Sequence, residues 1–134
     1  MTQYVITVPG VARGKGRPRF GSGRTFTDEK TENAEAWVKA VAIQQVGRPM
    51  LEGPIAVVIK VTCEVPASWS KTKKTLAASG DIRPTSRPDL DNVAKLVCDA
   101  LNKIVWRDDA QIVALTVAKV YGAEASAEIT VEKI

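Results

Sequence analysis

Apolar and polar residues alternate along this chain with two different periods, and the changes of period mark its elements. Gln3 to Val8 alternates as a first strand and stops at Pro9-Gly10. Ala34, Trp37, Val38 and Val41 recur at helical spacing, which predicts a helix to about Val46 with its stripe, Trp37 included, against a sheet. Thr27 is placed to cap that helix, with Asp28 and Glu29 in its positive first turn. Ile55, Val57, Ile59, Val61 and Cys63 share one face of the clearest strand, while Lys60, Thr62 and Glu64 on the other face make it half-buried. Ser70 to Ala78 reads as a short helix, stopped by Gly80 and Pro84. Pro88 pushes Arg87 toward extended backbone, and Asp89 or Asp91 caps a helix to about Lys103 that buries Val93, Val97, Ala100, Leu101 and Ile104. Gln111 to Tyr121 is a strand, Gly122 a turn, and a last strand runs from about Ala127, in position to form a hairpin with its predecessor.

The resulting order, β-α-β-α-β-β, predicts an α+β or α/β fold in which a mixed sheet is flanked by helices. A length of 134 residues and a hydrophobic share of 45% suit a single domain, 1–134, with one modest core. Cys63 and Cys98 both lie inside apolar runs, so their spacing suggests neither a disulfide framework nor a zinc site. Histidine is absent, which removes His-activated nucleophiles and leaves Asp, Glu, Lys, Arg, Ser and Tyr to do any chemistry. No basic leader and no apolar run of spanning length is visible, so the expectation is a cytoplasmic protein without a membrane partner.

Charge is unevenly placed. Between Pro9 and Arg24 stand Arg13, Lys15, Arg17, Arg19 and Arg24 with no acid, and between Pro66 and Pro88 stand Lys71, Lys73, Lys74, Arg83 and Arg87 against Asp81 alone. Of a net charge of +4, these two segments carry +9 and the remainder −5. Concentrated basic loops on an acidic frame favour a polyanion such as nucleic acid, although solubility alone would also account for them. The first segment holds five glycines, which let its backbone N–H groups approach phosphate closely, as a binding loop or a disordered one. It matches neither a Walker A loop nor a dinucleotide glycine triplet, so a nucleotide cofactor is not expected. Trp69 in the second segment can pack the loop down, stack on a base or meet another subunit; as an isolated Trp near a proline it is expected to pack.

Two carboxylates, Asp89 and Asp91, directly follow this basic segment at a helix N-terminus, where the helix field lowers the cost of crowding negative charge. Lys95 lies one turn beyond Asp91, and Asp99 one turn beyond Lys95. A helix cap plus a surface ion-pair ladder would explain all four. Asp108 and Asp109 shift the balance, because an antiparallel return from the helix can carry them back toward Asp89 and Asp91. Converging carboxylates repel unless a cation fills the gap, and hard oxygen donors without His or Cys point to Mg²⁺.

KGRPRF (Lys15 to Phe20), SWSKTKK (Ser68 to Lys74), RPDLDNVAKLVCDALN (Arg87 to Asn102), VWRDDAQIV (Val105 to Val113) and KVYG (Lys119 to Gly122) together resemble the RusA family of Holliday junction resolvases over nearly the whole chain. The resemblance implies catalytic Asp89, Asp91 and Asp109 with Lys95 in support, a metal set of Asp89, Asp91 and Asp109 that extends to Asp108, and Mg²⁺ as cofactor. It further implies a homodimer that nicks a four-way DNA junction symmetrically, as in recombination and repair; the three aspartates of each site are expected to come from one subunit. The ten basic residues of the two segments are then the DNA-binding set. Two rival readings remain: a nuclease for other branched DNA, and a nucleic-acid-binding protein without catalysis. A Mg²⁺ domain for a small phosphorylated substrate lacks a phosphate loop and stands last.

Overall fold

Two parallel neighbouring strands cannot be joined by a tight turn; the chain must cross over the sheet, which takes a dozen residues or more. Here the crossover between two such strands, residues 65–111, carries the second basic segment and all the carboxylates of interest. A computed structural model of the chain describes residues 2–14, 19–21, 24–26 and 29–134, with side chains for 2–14 and 32–134. In chain order the elements are β1 (Gln3–Pro9), β2 (Arg19–Gly21), β3 (Arg24–Phe26), α1 (Glu29–Val46), β4 (Ile55–Glu64), α2 (Lys71–Ala78), α3 (Leu90–Leu101), a 3-10 turn (Asp109–Gln111), β5 (Ile112–Gly122) and β6 (Ser126–Lys133). The expected α+β domain with a mixed sheet is what forms. Strands β2 and β3 make a separate small antiparallel pair inside the glycine-rich segment, which sequence alone leaves as loop.

The main sheet runs β1-β6-β4-β5, with β6 antiparallel to β1 and β4, and β4 parallel to β5. The last two strands are therefore not hairpin partners: β4 sits between them. Burial explains the choice, since β4 has the longest apolar face. Its Ile55, Val57, Ile59 and Val61 are all at most 1% exposed. A strand so apolar belongs at the centre, and β6 meets it with Ala127, Ile129 and Val131 in register with Val61, Ile59 and Val57. The helices α1 and α3 cover this face through Val38, Val41 and Ala42 and through Val93, Leu96, Val97, Ala100 and Leu101, which join the sheet residues in one core.

Helix α3 stops at Leu101, short of Lys103, which takes a positive φ of 65° and so cannot continue it. Trp37 is the larger correction to the sequence reading. It is 52% exposed, because Val38, Val41 and Ala42 define the buried stripe and Trp37 falls at its margin. Its indole N–H donates to the Pro9 carbonyl at 3.3 Å and so ties α1 to the end of β1. Thr27 and Asp28, the expected cap and first-turn acid of α1, lie outside the described residues. Among the described residues, no helix is long and apolar enough to cross a membrane.

Candidate active site along α3

The approach to α3 passes through a cis Arg87-Pro88 peptide. Asp89 occupies the N-cap with extended backbone (φ −72°, ψ 135°), and its carbonyl accepts the first helical bond from Val93 N at 3.1 Å. Its carboxylate makes no capping hydrogen bond, so the cap position is filled by backbone geometry and the side chain stays uncommitted to the helix. Asp91 stands exposed in the first turn, where free N–H groups favour anionic charge. Lys95 is exposed one turn along the same ridge and forms no ion pair with Asp91, so the surface ladder weighed as an alternative is not closed at that rung.

Two other parts of the chain converge on this helix end. The glycine-rich segment reaches it at Gly14, where a Cβ would stand 2.7 Å from the Cβ of Asn92; only glycine permits that approach beside Asp91. From the edge strand β5, the Lys119 ammonium donates to the carbonyls of Ser86 at 2.7 Å and Pro88 at 3.1 Å. Both basic segments therefore come within a residue or two of the acidic pair, one through space and one through the chain. The site lies toward the C-terminal ends of the parallel pair β4 and β5, the usual location of ligand sites in open sheets with parallel strands.

Asp108 and Asp109 belong to a different construction at the far end of α3. Trp106 is fully buried, and its indole N–H donates to one carboxylate oxygen of Asp109 at 2.7 Å. A buried indole needs such an acceptor, so core packing fixes the orientation of a half-exposed acid. Gln111 knits the turn together with a single amide: its oxygen accepts from Arg107 N (2.9 Å) and Asp108 N (2.8 Å), and its nitrogen donates to the carbonyls of Leu51 (2.8 Å) and Gly53 (2.9 Å). Asp108 is the cap of the 3-10 turn, with its side chain accepting from Ala110 N at 3.5 Å, and Arg107 is ion-paired with Glu52. The W-x-D-D-x-Q pattern is thus a self-supporting turn that presents Asp109.

The Cys98 thiol of α3 feels the charge of Asp109. Burial, and after it the charges of Asp109 and Asp99, push its pKa up to about 11. Asp109 and Asp99 thus act electrostatically on the same helix that carries Asp91. Strand β5 does return toward the acidic pair, but Lys119 is the residue that arrives there, while Asp109 stays at the beginning of the strand. Among the described residues, no three Asp, Glu, Cys or His side chains gather closely enough to hold a metal ion. The chemistry of the donors at the helix end still fits Mg²⁺: it is commonly held by one or two carboxylates plus water and substrate phosphate, and Asp89 and Asp91 supply two such oxygen donors.

The expected DNA-binding residues divide by element. Arg13 is exposed at the start of the first segment. Lys15 and Arg17 lie outside the described residues, as do the side chains of Arg19 in β2 and Arg24 in β3. Lys71, Lys73 and Lys74 project from α2, whose cap is Ser70, and Arg83 and Arg87 are exposed in the descent to α3. Trp69 packs edge-on against Tyr121 of β5, ring centroids 5.1 Å apart, and carries the Lys73 ammonium 4.0 Å over its ring. Packing is its observed role, and it seats the lysine helix on the sheet edge. Sequence reasoning missed Gly14, Gln111 and Lys119 as positioning residues. Gln111 and Lys119 stand inside the W-x-D-D-x-Q and KVYG motifs; Gln111 closes a local D-x-x-Q capping box, but the carbonyls that it and Lys119 hold are remote and no local pattern reveals them.

Basic segments thus meet Asp89 and Asp91 at a helix end, on an α+β sheet. Residues 9–132 match the endodeoxyribonuclease RusA family, and the chain belongs to it. It is also 36% identical over 135 residues to the uncharacterized protein YqaN of Bacillus subtilis (strain 168), a match covering 96% of this chain and 95% of that one.

Proposed function

We propose that this chain is a Mg²⁺-dependent, structure-selective endodeoxyribonuclease that resolves four-way DNA junctions by paired symmetric nicks and works as a homodimer in recombination and repair. The observation that carries the reading is the meeting of both basic segments with Asp89 and Asp91 at one end of α3. A wholly basic surface would grip DNA but hold no cation, and a wholly acidic one would repel DNA. Membership of the endodeoxyribonuclease RusA family supports the same class of reaction.

In this reading Asp89 and Asp91 hold the ion. Bound there, Mg²⁺ supplies a concentrated charge that polarises the scissile phosphodiester and activates water. Lys95 adds fixed positive charge where the phosphate gains negative charge during cleavage. Asp109, one oxygen of which accepts from the Trp106 indole, contributes the third carboxylate of the site. Arg87, Arg83 and the α2 lysines grip the backbone on one side, and the Arg13 segment grips it on the other.

Two coordinated cuts in a symmetric junction call for two equivalent sites, which a two-fold dimer provides. Edge strand β5 supports such pairing, since Val113 and Leu115 are 62% and 47% exposed on it. The test is to incubate the protein with mobile four-way junctions, flaps and linear duplex, with Mg²⁺ or a chelator, and to map the nicks. Symmetric paired nicks on the junction, abolished by chelation, are expected. Single cuts confined to flaps would move the protein to other branched DNA, and binding without any cut would make it a binding protein.

A further inference from the structure

We infer that Lys119 is a positioning residue for the Asp89-Asp91 pair, acting through the backbone and not by contact with DNA; the inference rests on the metal-holding role proposed for that pair. Lys119 sits on β5 in register with Val61, which is 1% exposed, so its aliphatic stem leaves the sheet beside the core. Its ammonium then reaches the carbonyls of Ser86 and Pro88, 33 and 31 positions earlier in the chain. These two carbonyls flank Arg87, and the second shares its peptide plane with the N–H of Asp89. Holding the Pro88 oxygen therefore holds the nitrogen of Asp89 and the direction in which α3 begins.

The helix end needs such a tie. Asp89 forms no side-chain cap, and the preceding residues from Asp81 to Arg87 contain no helix or strand. A charged donor on neutral carbonyls makes a stronger bond than an amide would, and a lysine can serve two acceptors at once. Strand β5 is paired with β4 without a break from Ala114 to Gly122 and so provides a fixed anchor around Lys119. The tie couples the sheet edge to the acidic pair without occupying either carboxylate.

Charge and position predict opposite outcomes when Lys119 is removed. A cation near the pair opposes binding of a second cation, so the loss of its charge alone would tighten metal binding. The loss of a positioning tie would loosen it. The measurement is Mn²⁺ binding by calorimetry or electron spin resonance, with amide hydrogen exchange over residues 86–93, for the parent protein, Lys119→Met, Lys119→Arg and Asp91→Asn. We expect Lys119→Met to weaken Mn²⁺ binding about tenfold, speed exchange at 89–93 and leave exchange in α1 and β4 unchanged, with partial recovery in Lys119→Arg.

Unchanged exchange at 89–93, or Mn²⁺ binding that is unchanged or tighter in Lys119→Met, would overturn the inference. If Lys119→Met fails to fold, Lys119→Gln replaces it under the same criteria. Failure of the underlying metal reading has a separate signature: parent protein and Asp91→Asn would bind Mn²⁺ alike, whatever exchange at 89–93 shows.

Discussion

The two ends of α3 are built on opposite plans. At the far end, Trp106, Gln111 and the Asp108 cap tie the turn together, and Asp109 is presented by a network rooted in the core. At the near end, Asp89 does not cap, Asp91 is exposed, and what is fixed is the backbone beneath them, by Lys119 and by the close pass of Gly14. One end fixes a carboxylate by binding it; the other fixes the main chain and leaves both carboxylates available. The contrast separates stability from chemistry along a single helix, and substitutions at the two ends should therefore fail differently.

The largest effect is expected at Trp106. Trp106→Ala empties a fully buried site and should cost about 3–5 kcal/mol, read by denaturant unfolding. Trp106→Phe sharpens the comparison: it keeps most of the burial but removes the N–H that holds Asp109, so junction cleavage should fall more than stability does. Equal losses in both would mean that the indole bond to Asp109 has no functional weight.

A smaller stability effect is expected at the near end. Gly14→Ala forces the glycine-rich segment off Asn92, and accommodating the methyl should cost on the order of 1 kcal/mol, measured by unfolding. The loss of junction affinity should be the more evident change, because the segment carrying Arg13 is moved. An unaltered affinity would detach that segment from the site.

The smallest effect concerns α2. Replacing Lys73 and Lys74 by Ala should lower the slope of log affinity against log salt by about 0.9 for each phosphate that the lysines neutralise in the parent, with folding intact. Lys73→Ala also uncovers the Trp69 ring, so the single variants should differ, Lys74→Ala showing the purer salt effect. Unchanged slopes would remove both lysines from the DNA surface.

The periodicities of β1, β4 and α3 were legible because each buries one face against a shared core, and burial leaves its trace in the apolar pattern. The order of the strands was not legible in the same way. That β4 separates β5 from β6 depends on which strand gains most from two neighbours, and adjacent elements in sequence mislead there. For the site, RPDLDNVAK carried Asp89, Asp91 and Lys95 because one helix turn puts them on one ridge. The anchoring of Asp109 was not legible, because it rests on the buried Trp106 indole, whose acceptor the apolar pattern does not name. Lys119 was hidden because its partners are main-chain carbonyls, which have no signature in side-chain identity.

In the proposed function the near end of α3 holds a catalytic cation while the basic segments hold DNA. Asp91→Asn tests it most directly, since the change removes one charge and preserves size. Cleavage and binding of a labelled four-way junction are measured side by side in Mg²⁺ for this variant and the parent. Cleavage should be lost while the dissociation constant for the junction changes less than a few-fold. Cleavage by Asp91→Asn at the parental rate would contradict it.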